Sequence, residues 1–129
     1  MDSHLGGHLT IKVLEGKLTR DVQTFGKQDP FVLIKYMGNE LKTHVHENGG
    51  KTPAWGDSFD LELGSVSDEL TFEVRDDEVM GSRIIGVMHV KGSALAINGG
   101  VREWFTVYHD DKSAGEIHLE THFKHHHHK

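Results

Sequence analysis

The sequence predicts an all-β fold, an eight-stranded antiparallel β-sandwich. Apolar residues recur at every second position along most of the chain, which is typical of strands with one buried and one exposed face. Turn-forming clusters such as N-G-G-K, M-G-S-R and N-G-G separate these stretches. At 129 residues, the chain is long enough for one hydrophobic core and too short for two. Many short strands in one domain favour two packed antiparallel sheets.

The N-terminal half supplies four of the predicted strands. The first alternates Leu9, Ile11 and Val13 with polar residues. The second covers residues 30–37 and contains the apolar run V-L-I-K-Y. Pro30 stands at its start, where it favours extended backbone at Asp29 and so leads the chain into the strand. The third and fourth predicted strands cover residues 40–46 and 59–63.

The C-terminal half supplies the other four. The fifth predicted strand, residues 70–75, and the eighth, residues 117–123, both alternate strictly between apolar and polar residues. The sixth and seventh cover residues 84–91 and 103–108. Two large aromatic residues are expected to close the ends of the core, Trp55 and Trp104.

The chain ends in a histidine-rich tail, K-H-H-H-H-K, at residues 124–129. Polyhistidine is either a natural metal-binding tract or an expression tag, and both interpretations stay open. The predicted single domain therefore covers residues 1–123, and the tail is placed outside it.

Composition excludes several classes of function. The net charge of −6 opposes a nucleic-acid partner, because phosphate binding needs a basic face. The absence of cysteine excludes disulfides and thiolate chemistry and fits an intracellular protein. No apolar run approaches the roughly 20 residues that span a bilayer, and no signal peptide is evident. These features predict a cytoplasmic protein whose contact with membranes, if any, is peripheral.

Three motifs occur in order between about Gly7 and Phe123. They are G-K-Q-D-P-F, K-T-P-A-W-G-D-S-F, and V-R-D-D-E followed by I-I-G. This ordered set resembles the C2 domain family. The resemblance implies that two acidic loops at one end of the sandwich bind calcium and dock on anionic phospholipid, in membrane targeting or signalling. The order of the motifs is similar to the permuted topology of small single-domain C2 proteins, in which the closing strand comes last.

The resemblance places candidate calcium ligands on both acidic loops. Gln23 stands where the family has an acid, and Arg83 replaces the acid that usually ends the second loop. Calcium takes six to eight oxygen ligands, so a missing acid weakens a site, and a fixed positive charge opposes a second ion. Arg83 can instead form an internal ion pair in place of the metal. Weak single-site calcium binding and a calcium-independent loop end therefore both stay open. The candidate ligands are Gln23, Asp29, Asp76, Asp77 and Glu78.

Three apolar residues near the tips of these loops are candidate membrane contacts: Phe25, Val79 and Met80. Exposed apolar residues at a loop tip can insert among lipid headgroups. Phe25 is expected to pack against its own loop. Val79 and Met80 are therefore favoured as the inserting pair.

Three basic residues are candidate headgroup contacts: Lys35, Lys42 and His44, with Tyr36 beside them. Such residues bind phosphoinositide when they form a basic cluster, and they are otherwise part of an ordinary solvated sheet face. The alternative to lipid binding is a calcium-independent protein-interaction module, in which a partner docks on a sheet face.

The histidines raise a further, less favoured possibility. His118, Glu120 and His122 lie at alternate positions of one predicted strand, and His44 and His46 do so on another, a spacing that can hold zinc or copper. Exposed polar positions of strands commonly carry histidine without any ligand. No nucleophile elbow, zinc-protease or phosphate-loop motif is present, so no enzyme is predicted.

Overall fold

The computed structural model describes residues 5–23 and 25–126. Nearly all regular structure in these residues is β-strand, with a five-residue helix α1 (Gly92–Ala96) and a 3-10 turn (Ile97–Gly99) between the sixth and seventh strands. None of the described helices is long and apolar enough to cross a membrane. The strands are β1 (Gly7–Leu18), β2 (Pro30–Tyr36), β3 (Asn39–Lys42), β4 (Ala54–Leu63), β5 (Glu69–Glu78), β6 (Gly81–Lys91), β7 (Arg102–His109) and β8 (Lys112–His125).

All neighbouring strands are antiparallel, in the order β3-β2-β5-β6-β7-β8-β1-β4. The link between β6 and β7 is a single register pair, Val87 with Tyr108. The order therefore divides into two four-stranded halves that pack as a sandwich, which confirms the predicted fold. The last strand lies between β7 and β1, so the predicted topology with the closing strand last is also confirmed.

The core lies between the halves and is built from the alternate apolar residues of the strands. Leu9, Ile11 and Val13 are fully buried, and they pack in one cluster with residues of β2, β5 and β8. Burying each such side chain contributes about 1.5–3 kcal/mol. Trp55 belongs to this core, and its indole N–H donates to the Pro30 carbonyl at 3.0 Å.

Several sequence predictions were wrong in detail. Trp104 is only half-buried and stacks on His118 instead of closing the core. Regular pairing of the third strand ends at Lys42, and the His44 N–H donates to the Asp57 carboxylate at 2.7 Å. Thr43 and His46 still donate their backbone N–H groups to β2, to the carbonyls of Val32 and Pro30, both at 2.9 Å. Helix α1 was not predicted, since five residues are too few for a periodic signal.

Part of the histidine-rich tail belongs to the last strand. β8 continues beyond the predicted boundary at residue 123, and Lys124 pairs with His8 of β1. The tail residues 127–129 lie outside the described residues.

Four connections lie at one end of the sandwich, which we call the loop end. They join β1 to β2, β3 to β4, β5 to β6 and β7 to β8. Pro30 of β2 lies opposite Asp76 of β5, so the first and third connections are neighbours. Both acidic loops predicted from the sequence are therefore at the loop end.

Candidate functional site

Asp76 lies at the end of β5 and is fully buried. One carboxylate oxygen accepts the Asp29 backbone N–H at 2.7 Å. The other accepts the side-chain amide of Gln23. A buried carboxylate needs such donors, because an unpaired charge away from water is costly. Asp76 therefore ties the β1–β2 connection to β5, and both of its oxygens have partners.

Asp29 ties a second connection to the same place. Its side-chain oxygen accepts the backbone N–H of Asn48 at 2.7 Å, and its carbonyl accepts the N–H of Asp77 at 2.9 Å. The backbone of Asp29 thus contacts β5, and its side chain contacts the β3–β4 connection. One of its two carboxylate oxygens is therefore engaged by Asn48.

Gln28 is a fully buried polar residue that sequence reasoning missed. Its side-chain oxygen accepts the Val22 N–H at 3.0 Å. Its amide donates to the carbonyls of Arg20 and Gly50, both at 2.9 Å. Gln28 therefore joins the β1–β2 and β3–β4 connections. The only signal in the sequence is a polar residue inside G-K-Q-D-P-F, which resembles any loop residue.

The ion pair considered for Arg83 is present. Its guanidinium lies 3.1 Å from the Glu78 carboxylate and donates to the Val22 carbonyl at 2.9 Å. The Arg83 side chain is about half exposed, so the pair itself contributes little to stability. Its main effect is local, since it places a fixed positive charge among the acids of the loop end.

Four of the five candidate calcium ligands line one open pocket of about 460 Å³: Gln23, Asp29, Asp77 and Glu78, beside Val79. Asp76, the fifth, is fully buried behind the pocket, where it accepts hydrogen bonds from Gln23 and Asp29. Across residues 5–23 and 25–126, no three histidine or acidic side chains are close enough together to hold a metal ion. The arrangement brings the predicted residues together without forming a ready metal site.

The tip of the loop end is apolar and exposed. Phe25 is 88% exposed, Val79 101% and Met80 90%. The expectation that Phe25 packs against its own loop was therefore wrong. Gly81 follows Met80 with a φ of 88°, a conformation that glycine adopts at little cost, and this turn places Val79 and Met80 at the extreme tip.

The three candidate headgroup residues are already engaged. Lys35 lies 3.1 Å from the buried Glu73, and the Lys42 ammonium lies 4.4 Å from the centre of the Phe31 ring. His44 contacts the Asp57 carboxylate at 2.9 Å.

Tyr36, which was expected to join these bases, is instead buried. Its hydroxyl donates to Asp68 at 2.6 Å. Burial is the larger cause that raises the pKa of Tyr36, and this hydrogen bond is the second.

Two histidines of β8 contact carboxylates. His118 lies 3.3 Å from Glu15, and His122 lies 3.5 Å from Glu120. His8, which sequence reasoning did not single out, contacts two acids of β4. Its hydrogen bonds to Glu62 and then Asp60 raise the pKa of His8.

Comparisons with known proteins agree with this architecture. The family model of the C2 domain matches residues 7–107. Extended synaptotagmin-1 of Rattus norvegicus is 32% identical over 95 residues, which is 73% of this chain and 8% of the relative. The chain thus spans a small part of that protein's length.

Two solved structures have the same fold. A single C2 domain of a plant Extended Synaptotagmin 1 superposes with a TM-score of 0.83 and 22% identity, covering 98% of this chain and 100% of that one. The calcium-bound pair of C2 domains of Extended-Synaptotagmin 2 superposes with a TM-score of 0.78 and 21% identity, covering 91% of this chain and 45% of that one.

Proposed function

This chain belongs to the C2 domain family, and from that premise we propose that it is a peripheral membrane module whose loop end binds anionic phospholipid. The observation that carries the proposal is the apolar tip, because Phe25, Val79 and Met80 are all almost fully exposed. Large apolar side chains rarely cluster in water without a partner surface. Each contributes about 1.5–3 kcal/mol when fully buried, and less when it reaches only the headgroup layer.

The polar part of the loop end supports binding that does not require calcium. In Asp76, both carboxylate oxygens already accept hydrogen bonds from Asp29 and Gln23. Glu78 is paired with Arg83. These donors hold the connections in place as a bound cation would, so the apolar tip is presented without metal.

Calcium has at most an accessory part in this proposal. The oxygens that remain on the pocket belong to Gln23, Asp29, Asp77 and Glu78. Asn48 engages one oxygen of Asp29, and Arg83 engages one of Glu78, so the free side-chain oxygens are fewer than the six to eight that calcium prefers. Arg83 also opposes the ion, so one weakly held calcium is the upper limit. A single ion would reduce repulsion between these acids and an anionic membrane.

The test is sedimentation with phosphatidylserine-containing vesicles, in calcium and in chelator, with protein ending at residue 126. We expect comparable binding in both conditions. Neutral phosphatidylcholine vesicles serve as the lipid control and are expected to bind less. Binding in calcium alone would contradict calcium independence, and no binding in either condition would overturn the proposed function.

Arg83 offers a sharper test of the calcium argument. In Arg83→Asp, the internal cation is lost and an acid is added beside Asp77 and Glu78. We expect this variant to need calcium for vesicle binding, because repulsion from the membrane is then uncompensated. Arg102→Asp, an exposed arginine on β7 paired with Glu120, is the control and should bind equally in calcium and chelator. Equal behaviour of both variants would contradict the role of Arg83.

A further inference from the structure

The two strands at the ends of the sheet order, β3 and β4, border a groove on the open side of the sandwich. The groove has a volume of about 390 Å³. Its apolar lining includes Ile34, Leu41 and Leu61. Leu41 and Leu61 are only half-buried, although both pack against the core. The sandwich therefore leaves apolar surface uncovered between its two edges.

The edge strand β4 is also long. It pairs with β1 on one side, from Leu63 back to Ala54. Among the described residues, its backbone from Trp55 to Leu63 has no hydrogen bond to any other element. A free strand edge carries a row of backbone donors and acceptors that can pair with another extended chain. The groove therefore combines apolar lining with an unpaired backbone edge.

The rim of the groove is acidic. Glu40 lies on the β3 side, and Asp60 and Glu62 lie on the β4 side. His8 contacts the last two, and His126 lies 3.2 Å from Glu62. Two histidines carry at most two positive charges, which do not balance three carboxylates. The nearest lysines are directed elsewhere, since Lys35 contacts Glu73 and Lys42 lies over Phe31. The groove therefore attracts a cationic partner and repels an acidic one.

We propose that this groove binds an extended basic peptide, with lysine or arginine alternating with apolar residues, which adds to β4 as a further strand. The apolar side chains enter between β3 and β4, and the basic side chains on the opposite face contact Asp60 and Glu62. Alternation is required because successive side chains of a strand point to opposite faces. A second copy of this chain is a poor occupant, because pairing β4 with β4 would bring acids close to acids.

The test uses a capped ten-residue peptide of alternating valine and lysine, titrated into isotopically labelled protein without vesicles. We expect backbone amide resonances of residues 39–42 and 56–63 to shift, while those of the loop end do not. Because no lipid is present, failure here is separate from failure of the membrane proposal. No shift, or shifts confined to other strands, would overturn the peptide site.

Matched peptides and variants test each part of the proposal. A valine–glutamate peptide should bind at least about tenfold more weakly, as should a valine–lysine peptide N-methylated at every residue. Asp60→Lys with Glu62→Lys should weaken binding of the valine–lysine peptide by at least about tenfold. Glu103→Lys, an exposed change on β7, is the charge control and should leave binding unchanged.

Two results would overturn the proposed peptide site. Equal binding of the glutamate peptide would show that the acidic rim does not select the partner. Equal binding of the N-methylated peptide would show that strand addition is not the mode of binding. Thermal unfolding of the double variant checks that it remains folded.

Discussion

The loop end and the sheet face that carries Lys35, Lys42 and His44 both have residue types that can contact membranes. The loop end leaves its apolar residues exposed, whereas the bases of the sheet face already have partners. Phe25, Val79 and Met80 are almost fully exposed at the tip. On the sheet face, Lys35 is paired with a buried glutamate and Lys42 lies over an aromatic ring. A residue type therefore indicates a function only when the fold leaves that residue free.

The largest expected effect is at the tip. Val79→Glu with Met80→Glu replaces two apolar contacts by charges that an anionic surface repels. We expect about a hundredfold loss of vesicle binding, since two side chains at the lower end of the range for burial contribute about 3 kcal/mol together, and the added carboxylates are repelled. Vesicle sedimentation over a range of lipid concentrations measures this loss.

The control for the tip is the double variant Met37→Glu with Ile97→Glu. Both residues are exposed apolar residues away from the loop end, so the change in charge and hydrophobicity is the same. If this variant lost as much binding as the tip variant, the site of insertion would be wrong.

The next effect tests the scaffold that holds the tip. Gln28→Leu fills similar space but leaves the hydrogen-bonding groups of Val22, Arg20 and Gly50 without their partner. We expect the free energy of unfolding to fall by about 1–3 kcal/mol, as is typical of buried polar groups left unpaired. Urea denaturation measures it, with Lys27→Leu as the exposed neighbouring control. An unchanged urea midpoint would show that Gln28 does not stabilise the connections.

A smaller effect is expected on the sheet face. Three free bases near an anionic membrane would contribute about 1 kcal/mol each, or roughly a hundredfold in all. Because these bases already have internal partners, Lys35→Gln, Lys42→Gln and His44→Gln together should reduce vesicle binding less than about threefold. The same sedimentation assay checks this, and a tenfold loss would show that these bases contact the membrane despite their internal partners.

The contrast between the regions also explains what the sequence could predict. The strands followed from alternation, because Ile11 faces the core together with Leu9 and Val13, the residues two positions away. The ligand candidates followed from motifs, and Gln23, Asp29, Asp77 and Glu78 do meet at one pocket.

The contacts that an individual side chain makes could not be predicted from alternation or from motifs. Gln28, the exposure of Phe25 and the stacking of Trp104 depend on contacts between distant parts of the chain. Neither periodicity nor a short motif carries that information. Burial of a carboxylate such as Asp76 likewise depends on which donors the fold brings to it.

The smallest expected effect is at His8, an exposed residue whose ring contacts the carboxylates of Glu62 and Asp60. Its bonds to Glu62 and Asp60 raise the pKa of His8, so this contribution to stability is present below about pH 6.5 and is lost as pH rises through the raised pKa. Thr10 and then His8 lower the pKa of Asp60, so its contribution is lost as pH falls through that lowered pKa. His8→Asn should therefore lower the urea midpoint at pH values between the lowered pKa of Asp60 and about 6.5. The midpoint should be nearly unchanged at about pH 8.5, which is roughly two units above the ordinary histidine pKa. His89→Asn is the control, because the ring of His89 lies farther from its acid, at 3.7 Å from Glu69, and this variant should lower the urea midpoint less than His8→Asn. A loss at His8 that stayed constant up to that alkaline limit would mean that packing, and not charge, is the source.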